Sequence, residues 1–223
     1  MPTPKTGAGA PRPAAALRRK PVQARSQRTV EKILTAATAI LVESGLPALN
    51  TNAVAARAQV NVSTLYAYFP DKMAILRELS GRFDAMREEF LAAHVTGLAT
   101  APDWRPHVDG IIAGLVRLRV EAPGSAALRN ALRAMPETES DIVAAVRRSA
   151  DLVADALRRR NADLGREHAD LISLMVSELV SRLLDLAFEK DPYDRAVVQE
   201  VISLTRRYLA PYLDAHPPVP AAA

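Results

Sequence analysis

Apolar side chains recur at every third or fourth position along most of this chain, which is the period of an α-helix. Glycines, prolines and short polar clusters interrupt the pattern and divide it into segments. No segment shows the strict alternation that is typical of a half-buried strand. The pattern therefore predicts an all-α fold, with helices over residues 26–44, 51–58, 62–69, 71–94, 104–121, 124–134, 138–160, 167–190 and 194–213.

Two of these helices are short and follow one another across a tight turn. Asn50 precedes residues 51–58 and Asn61 precedes residues 62–69, and asparagine is a favourable residue at a helix N-cap. Gln59 and Val60 lie in the turn between them. A short helix, a tight turn and a second short helix are typical of a helix-turn-helix.

The helical phase of residues 62–69 predicts which side chains are buried. Leu65 and Phe69 are four residues apart, so they point the same way and form the expected buried pair. The side chains around them are small or carry a hydroxyl group, which suits close approach to base edges and phosphate oxygens. Tyr66 and Tyr68 flank this outward face, although they would also fit as half-buried core aromatics.

Charge is distributed unevenly along the chain. Residues 1–80 carry 11 basic and 4 acidic side chains, a net charge of +7, whereas residues 81–223 carry 18 and 21, a net charge of −3. Seven basic residues and no acidic one precede Glu31. A positive segment favours a polyanionic partner such as DNA, although a solvated basic tail would have the same composition.

Several classes of function lack their usual signatures. The chain has no cysteine, which excludes disulfides, thiolate nucleophiles and zinc-thiolate sites. Its four histidines show no metal-binding spacing, and we find no phosphate-binding glycine loop or nucleophile elbow. We therefore expect a protein that is not an enzyme and needs no metal or cofactor. Without a long apolar run or a secretory signal, we also expect it to be cytoplasmic and to have no membrane partner.

Residues 25–76 read RSQRTVEKILTAATAILVESGLPALNTNAVAARAQVNVSTLYAYFPDKMAIL and resemble the N-terminal domain of the TetR family of bacterial transcriptional regulators. The matching motifs are ILTAATAILVESG in the first helix, VAARAQV in the second and TLYAYFPDK at the end of the third. The resemblance implies a three-helix DNA-binding domain followed by a larger helical domain that binds a ligand and dimerises. Its partners would be double-stranded operator DNA, a second copy of the chain and an unknown small-molecule effector.

The resemblance also implies roles for individual residues. Thr51 and Tyr66 would contact phosphates, Asn52 would touch a base and Lys72 would meet the DNA backbone. Gln59 stands at the turn position where the family usually has glycine, so the resemblance implies a positive φ there. Ser63 stands where the family commonly has glycine or proline, so the sequence that is read should differ. The side chains expected near the groove are Val62, Ser63, Thr64, Ala67 and Tyr68.

Four parts make up the predicted organisation. Residues 1–22 are rich in proline, alanine and glycine and would form a disordered basic arm. Residues 23–72 would be the DNA-binding domain, residues 73–215 the effector-binding and dimerisation domain, and residues 216–223 a disordered tail. Arg25 and the bases of the arm would add contacts to the DNA, unless the arm is an untethered tail.

The last two predicted helices have apolar stripes wider than one buried face requires. By family resemblance they would pair with those of a second copy in a four-helix interface. The alternative is a monomer that covers both faces with its own helices. The predicted interface residues are Leu179, Leu183, Val198, Val201, Ile202 and Tyr208.

The effector site is less clearly marked in the sequence. Gly110 and Gly114 are four residues apart, so they leave one face of their helix without side chains. Either another helix or a ligand would occupy the space beside that face. Arg117 and Arg129 would suit an anionic ligand, although surface ion pairs explain such residues as well. The predicted site comprises Trp104, His107, Gly110, Gly114, Arg117, Met135 and Met175.

Together these features predict a dimeric repressor that binds a pseudo-palindromic operator through residues 62–69 and is released by a small molecule. The helix over residues 71–94 would link the effector site to the DNA-binding head. An activator or a ligand-independent regulator would have the same layout. A helical small-molecule carrier without specific DNA binding is a more distant alternative.

Overall fold

The computed structural model describes residues 24–122, 124–190 and 192–214, which form helices and no strand. The arm and tail predicted for residues 1–22 and 216–223 lie outside the described residues. The helices are α1 (Ala24–Ala48), α2 (Thr51–Ala58), α3 (Val62–Tyr68), α4 (Lys72–His94), α5 (Thr96–Thr100), α6 (Arg105–Glu121), α7 (Ser125–Arg133), α8 (Glu139–Arg160), α9 (Arg166–Ala187) and α10 (Arg195–Leu213), with a 3₁₀ turn at Pro136–Thr138. None of these helices is long and apolar enough to cross a bilayer.

Local hydrogen bonds set the ends of the first helices. The Asn50 side chain accepts a hydrogen bond of 2.9 Å from the Ala53 N–H and caps α2. Gln59 ends α2 in the left-handed region at φ 55°, as the turn was expected to require. Asn61 occupies the cap position of α3 but makes no side-chain capping bond. The Asp71 side chain caps α4 by accepting from the Ala74 N–H at 2.8 Å.

Two clusters of buried apolar side chains form the interior. The first, here called the head core, combines α1, α2, α3, the start of α4 and α7, and includes Ile33, Leu65 and Ile75. The second, the body core, combines the rest of α4 with α5, α6 and α8–α10, and includes Ile112 and Leu184. α4 contributes to both cores, so it connects the head to the body.

α7 belongs to the head core, although its residues fall in the predicted C-terminal domain. Leu128, Leu132 and Met135 at this helix pack with the buried faces of α1 and α4. Sequence periodicity shows that α7 is amphipathic, but it does not show which neighbour covers the apolar face. The packing around the head therefore extends beyond residues 23–72.

A buried arginine links the ends of three helices in the body, α5, α8 and α10. Arg160, the last residue of α8, donates to the carbonyls of Ala101 and Leu213, each at 2.8 Å. Nearby, the indole N–H of Trp104 donates to the Asp214 carboxylate at 2.8 Å. A basic residue in the last turn of a helix ordinarily complements the dipole of that helix, and Arg160 occupies such a position. Instead, it joins the ends of α5 and α10, because its guanidinium reaches their unpaired carbonyls.

Candidate DNA-binding surface and ligand cavity

The orientation predicted for α3 is confirmed. Leu65 and Phe69 are fully buried in the head core, with 0% of their surface exposed. Ser63 and Ala67 lie on the exposed face, and Thr64 beside them is half-buried. Because the inward pair holds α3 against α2, the small side chains form an open surface that a large side chain does not obstruct.

The two residues expected to contact phosphates lie together. The hydroxyl groups of Thr51 on α2 and Tyr66 on α3 are 3.0 Å apart and form a hydrogen bond at the protein surface. Tyr66 is 41% exposed, so its hydroxyl remains accessible. This bond orients two hydroxyl groups along one edge of α3. It uses the proton of one hydroxyl, so the other hydroxyl can donate to an anion.

All ten residues predicted to contact DNA reach the surface to some degree. Tyr68 is half-buried because its ring also packs against the head core. Arg25, at the start of α1, and Lys72, at the start of α4, are exposed. The exposed or half-buried set comprises Arg25, Thr51, Asn52, Val62, Ser63, Thr64, Tyr66, Ala67, Tyr68 and Lys72.

A separate cavity lies inside the body, among α4, α5, α6, α8, α9 and α10. It encloses about 700 Å³ of space free of protein atoms, including its mouth, and the centre of a water molecule can reach about 80 Å³ of it. The walls are mainly aliphatic, with Leu91, Ile112, Val176 and Leu209 from four different helices. Such a narrow, largely apolar interior space is typical of a small-molecule site.

None of the seven residues predicted for the effector site lines this cavity. Trp104 is buried in the body core, where its N–H bonds to Asp214. Met135 is buried in the head core. His107, Gly110 and Arg117 are on the exposed side of α6, and no atom lies within 4 Å of a Cβ built on Gly110.

The other two predicted effector residues also serve different contacts. A Cβ atom on Gly114 would overlap the ring of Phe90, so this glycine allows α6 to pack closely on α4. Met175 is 54% exposed on the outer face of α9. The apolar pattern could not separate these positions from the cavity, because periodicity does not show what lies opposite a helix face.

Two buried arginines in the cavity wall were missed. Arg87 on α4 donates to the Ser149 hydroxyl at 3.2 Å and to the Ala145 carbonyl at 3.0 Å, and it pairs with Asp84 at 3.2 Å. Arg119 on α6 donates to the Leu115 carbonyl at 3.2 Å, and its Nε has no protein partner. The available signal was spacing, since Arg119 follows buried Ile112 and Leu115 at helical intervals.

Burial removes water from the guanidinium groups of Arg87 and Arg119, and nearby negative charge replaces that hydration only in part. Loss of hydration lowers the pKa of Arg119 to about 9, and the positive charge of Arg129 acts in the same direction. Burial also lowers the pKa of Arg87, although Asp84 partly offsets the effect. Both guanidinium groups remain protonated near neutral pH, so each is a buried positive charge beside the cavity.

Asp185 on α9 is the acidic centre behind this wall. Arg129 donates to its two oxygens at 2.5 and 2.9 Å, Arg133 pairs with it, and Arg119 lies 3.7 Å away. Burial raises the pKa of Asp185, but the hydrogen bond and charge of Arg129, with the charges of Arg119 and Arg133, lower it overall. Arg129 therefore forms an internal ion pair, the alternative that the sequence had left open.

The outer face of α9 and α10 carries an unusual number of exposed apolar side chains. Among the predicted interface residues, Tyr208 is 37% exposed, and Leu179, Leu183 and Ile202 are half-buried. Val198 and Val201 are buried in the body core of their own protomer and leave no comparable surface for a partner. The large exposed apolar residues on these helices are Leu171, Met175, Leu186, Leu204 and Tyr208.

Comparisons with known proteins agree with this architecture. A family model described as bacterial regulatory proteins, tetR family, matches residues 33–79, and one described as tetracyclin repressor-like, C-terminal domain, matches residues 103–209. A TetR-family transcriptional regulator from Streptomyces coelicolor is 28% identical, with 85% of this chain and 100% of that chain covered and a TM-score of 0.65. No curated protein sequence matches.

A second solved structure, from Mesorhizobium loti MAFF303099 and assigned to the same family, is 19% identical. It covers 84% of this chain and 98% of its own, with a TM-score of 0.62, and thus supports the fold. The helical architecture and the exposed recognition helix define a helix-turn-helix DNA-binding protein. The chain belongs to the TetR family. It is a transcriptional regulator and not an enzyme.

Proposed function

We propose that this protein is a repressor that binds a pseudo-palindromic operator as a homodimer and is released when a small molecule enters the body cavity. The observation that carries the DNA-binding part is the outward face of α3, with Leu65 and Phe69 anchored beneath it. A helix held in this way can enter the major groove while the neighbouring helix contacts the backbone.

The surface chemistry supports a division of roles. Thr51, Tyr66 and Lys72 would contact phosphates, because they present hydroxyl groups and an ammonium group at the edges of the helix-turn-helix. Asn52 would reach a base or its sugar, and Arg25 would approach the backbone from the start of α1. The remaining outward side chains of α3 would lie near base edges, namely Val62, Ser63, Thr64, Ala67 and Tyr68.

The apolar outer face of α9 and α10 supports dimerisation. An exposed patch of this kind on a folded domain usually marks an interaction surface. Met175, Leu179, Leu183 and Tyr208 line one continuous groove there, so a second copy could bury the same helices by twofold symmetry. The two recognition helices would then meet half-sites separated by about 34 Å or a multiple of it.

Two physical connections between cavity and head support control by a ligand. α4 carries Arg87 in the cavity wall and Ile75 in the head core. α7 packs in the head core, while its Arg129 binds Asp185 behind the cavity. A ligand that favours one arrangement of these helices would shift the population of heads able to bind the operator.

A third contact lies between the loop before α7 and the head. Gly124 has φ 75°, and a Cβ atom there would lie 2.5 Å from Thr38 Cγ2 on α1. Motion of α6 and α7 would therefore press directly on α1.

An activator would use the same parts, because the sign of regulation depends on the position of the operator. A carrier would have no use for the oriented Thr51–Tyr66 pair.

The DNA-binding proposal can be tested with the substitutions Lys72→Ala and Tyr66→Phe, using a fragment selected from genomic DNA and an unrelated duplex. We expect Lys72→Ala to weaken binding to both and to reduce the slope of log affinity against log salt by about one unit, because one phosphate contact is lost. Tyr66→Phe should weaken binding to both with little change in slope, because a hydroxyl group carries no charge.

Lys190→Ala is the matched control, since it makes the same substitution in the body, after α9. Fluorescence anisotropy over a series of salt concentrations measures all three variants. If Lys72→Ala and Lys190→Ala had the same affinity and salt slope as the unsubstituted protein, the proposed docking of the head would be contradicted. Circular dichroism would verify that each variant is folded.

A further inference from the structure

We infer that the body cavity takes an amphipathic carboxylic acid, with a slender apolar body along the aliphatic walls and a carboxylate bound by Arg119. This inference rests on the proposed ligand-controlled function and names the chemical class of the ligand. It depends on three features of the cavity: its shape, its unpaired buried donors and its balance of charge.

The shape favours a narrow apolar ligand. The centre of a water molecule can reach only about 80 Å³ of the cavity, so the space between the walls is narrow. Leu98, Val108, Ile111, Val153 and Val180 supply further aliphatic surface along it. A single alkyl chain or one ring would fit such a passage and would lose its hydration shell on entry.

Unpaired polar atoms at the cavity point to the other end of the ligand. Arg119 is 6% exposed and lines the cavity, yet its Nε donor has no partner among the described residues. The Thr205 hydroxyl belongs to another residue of the lining, is buried, and has no partner in the same described part of the chain. Buried donors are nearly always satisfied in folded proteins, so two unpaired donors in residues of the lining favour a ligand that supplies acceptors. A carboxylate has two oxygens that match a guanidinium edge.

The charge balance selects an anion over a neutral or cationic group. Arg87 and Arg119 in the cavity wall and Arg129 and Arg133 behind it pair with two carboxylates, Asp84 and Asp185, so these guanidinium groups outnumber their acidic partners. Arg119 is the member farthest from a carboxylate, at 3.7 Å from Asp185. Burial lowers the pKa of Arg119, and a bound carboxylate would reverse that effect by supplying the missing negative charge. An ammonium group would add repulsion instead.

Calorimetric titration of the full chain with three probes of equal chain length tests this inference. The probes are octanoate, 1-octanol and octylamine, which differ in the charge of the head group. We expect octanoate to bind about ten- to hundredfold more tightly than 1-octanol, the range of a hydrogen bond to a charged group. Octylamine should bind most weakly. Equal affinities for octanoate and 1-octanol, or no octanoate binding, would overturn the inference.

Arg119→Gln and Arg117→Gln form a matched pair of variants on the same helix. Arg117 is exposed and outside the cavity lining, so its substitution removes one charge without touching the ligand. We expect Arg119→Gln to abolish the preference for octanoate and Arg117→Gln to retain it. Asp185 keeps Arg129 and Arg133 as partners in Arg119→Gln, so no buried carboxylate becomes unpaired. Thr205→Val is a second cavity variant, which should reduce octanoate affinity and leave 1-octanol affinity unchanged.

Release of labelled operator DNA, measured in the same titrations, separates this inference from the proposed function. Octanoate binding that depends on Arg119 but leaves DNA affinity unchanged would support the ligand class and contradict ligand control. Release by 1-octanol or octylamine but not by octanoate would support ligand control and overturn the ligand class. Release by octanoate alone, lost in Arg119→Gln, would support both.

Discussion

Gln59 ends α2 with φ 55° and ψ 45°, a left-handed conformation that a residue with a side chain adopts at a cost in free energy. The backbone N–H groups of Gln59 and Val60 donate to carbonyls in the last turn of α2, and this closes the turn. The geometry sets the angle at which α3 leaves α2. A single backbone conformation therefore helps to orient the recognition helix.

At this position glycine should give a more stable folded protein than glutamine does. Gln59→Gly should raise the free energy of unfolding by about 0.5–1 kcal/mol, because glycine adopts positive φ without steric strain. The matched control is Gln199→Gly, at an exposed position inside α10, which should lower it by about 1 kcal/mol. Urea denaturation measures both. A loss of stability in both variants would mean that the turn does not constrain Gln59 as described.

A largely buried ionic cluster joins α7 of the head core to α6 and α9 of the body. Asp185 on α9 receives Arg129 and Arg133 from α7 and lies near Arg119 of α6. One carboxylate thus holds three helices around the back of the cavity. Removing it would leave three buried or half-buried guanidinium groups without their shared partner, which costs far more than the loss of a surface ion pair.

Asp185→Asn should lower the free energy of unfolding at pH 7 by about 3–5 kcal/mol. The folded protein lowers the pKa of Asp185 below 3.8, so its stabilising contribution is present above pH 3.8 and is lost as the pH falls through the lower folded value. The difference between variant and unsubstituted protein should therefore shrink below pH 3.8. Denaturation curves at several pH values measure it.

Asp170→Asn is a suitable control, because Asp170 pairs with Arg158 at an exposed site on α9. Its effect at pH 7 should be within about 1 kcal/mol, as for other surface ion pairs. If Asp185→Asn were as mild as Asp170→Asn, the buried cluster would not hold the helices together in the way described.

At the scale of the whole molecule, the head core and body core share α4 and touch through α7. Five of the large apolar side chains that stay exposed lie on α9 and α10, namely Leu171, Met175, Leu186, Leu204 and Tyr208. Since the body core already occupies the inner faces of both helices, the protomer covers these side chains only in part. A second copy would complete their burial and would pair the heads for a two-part operator.

Met175→Glu should therefore weaken the proposed dimer by a factor of about 30 or more, the effect expected when a central apolar contact is replaced by a charge. Met86→Glu is the matched control, because Met86 is 44% exposed on α4, away from the α9–α10 face. Sedimentation velocity over a range of concentrations measures the association. Identical behaviour of the two variants would contradict dimerisation through this face.

Local sequence was sufficient to specify the helices and the orientation of α3. An i, i+4 apolar pair, an asparagine cap and a turn residue act over a few positions, so their consequences can be derived from neighbours in the chain. The individual residues proposed to contact DNA were named from the family resemblance, and they lie on α3 and in the first turns of α1, α2 and α4. The additional short helix α5 had no comparable signal.

Tertiary packing settled what each apolar face meets. Val201 faces its own core and Met175 faces outward, although both lie on amphipathic helices with the same periodicity. The walls of the cavity come from helices that are distant in the chain. For this reason only the folded structure shows that Arg119 lines the cavity and that Trp104 is buried in the core. The helical period shows that a face is apolar, but what packs against that face depends on how segments distant in the chain fold.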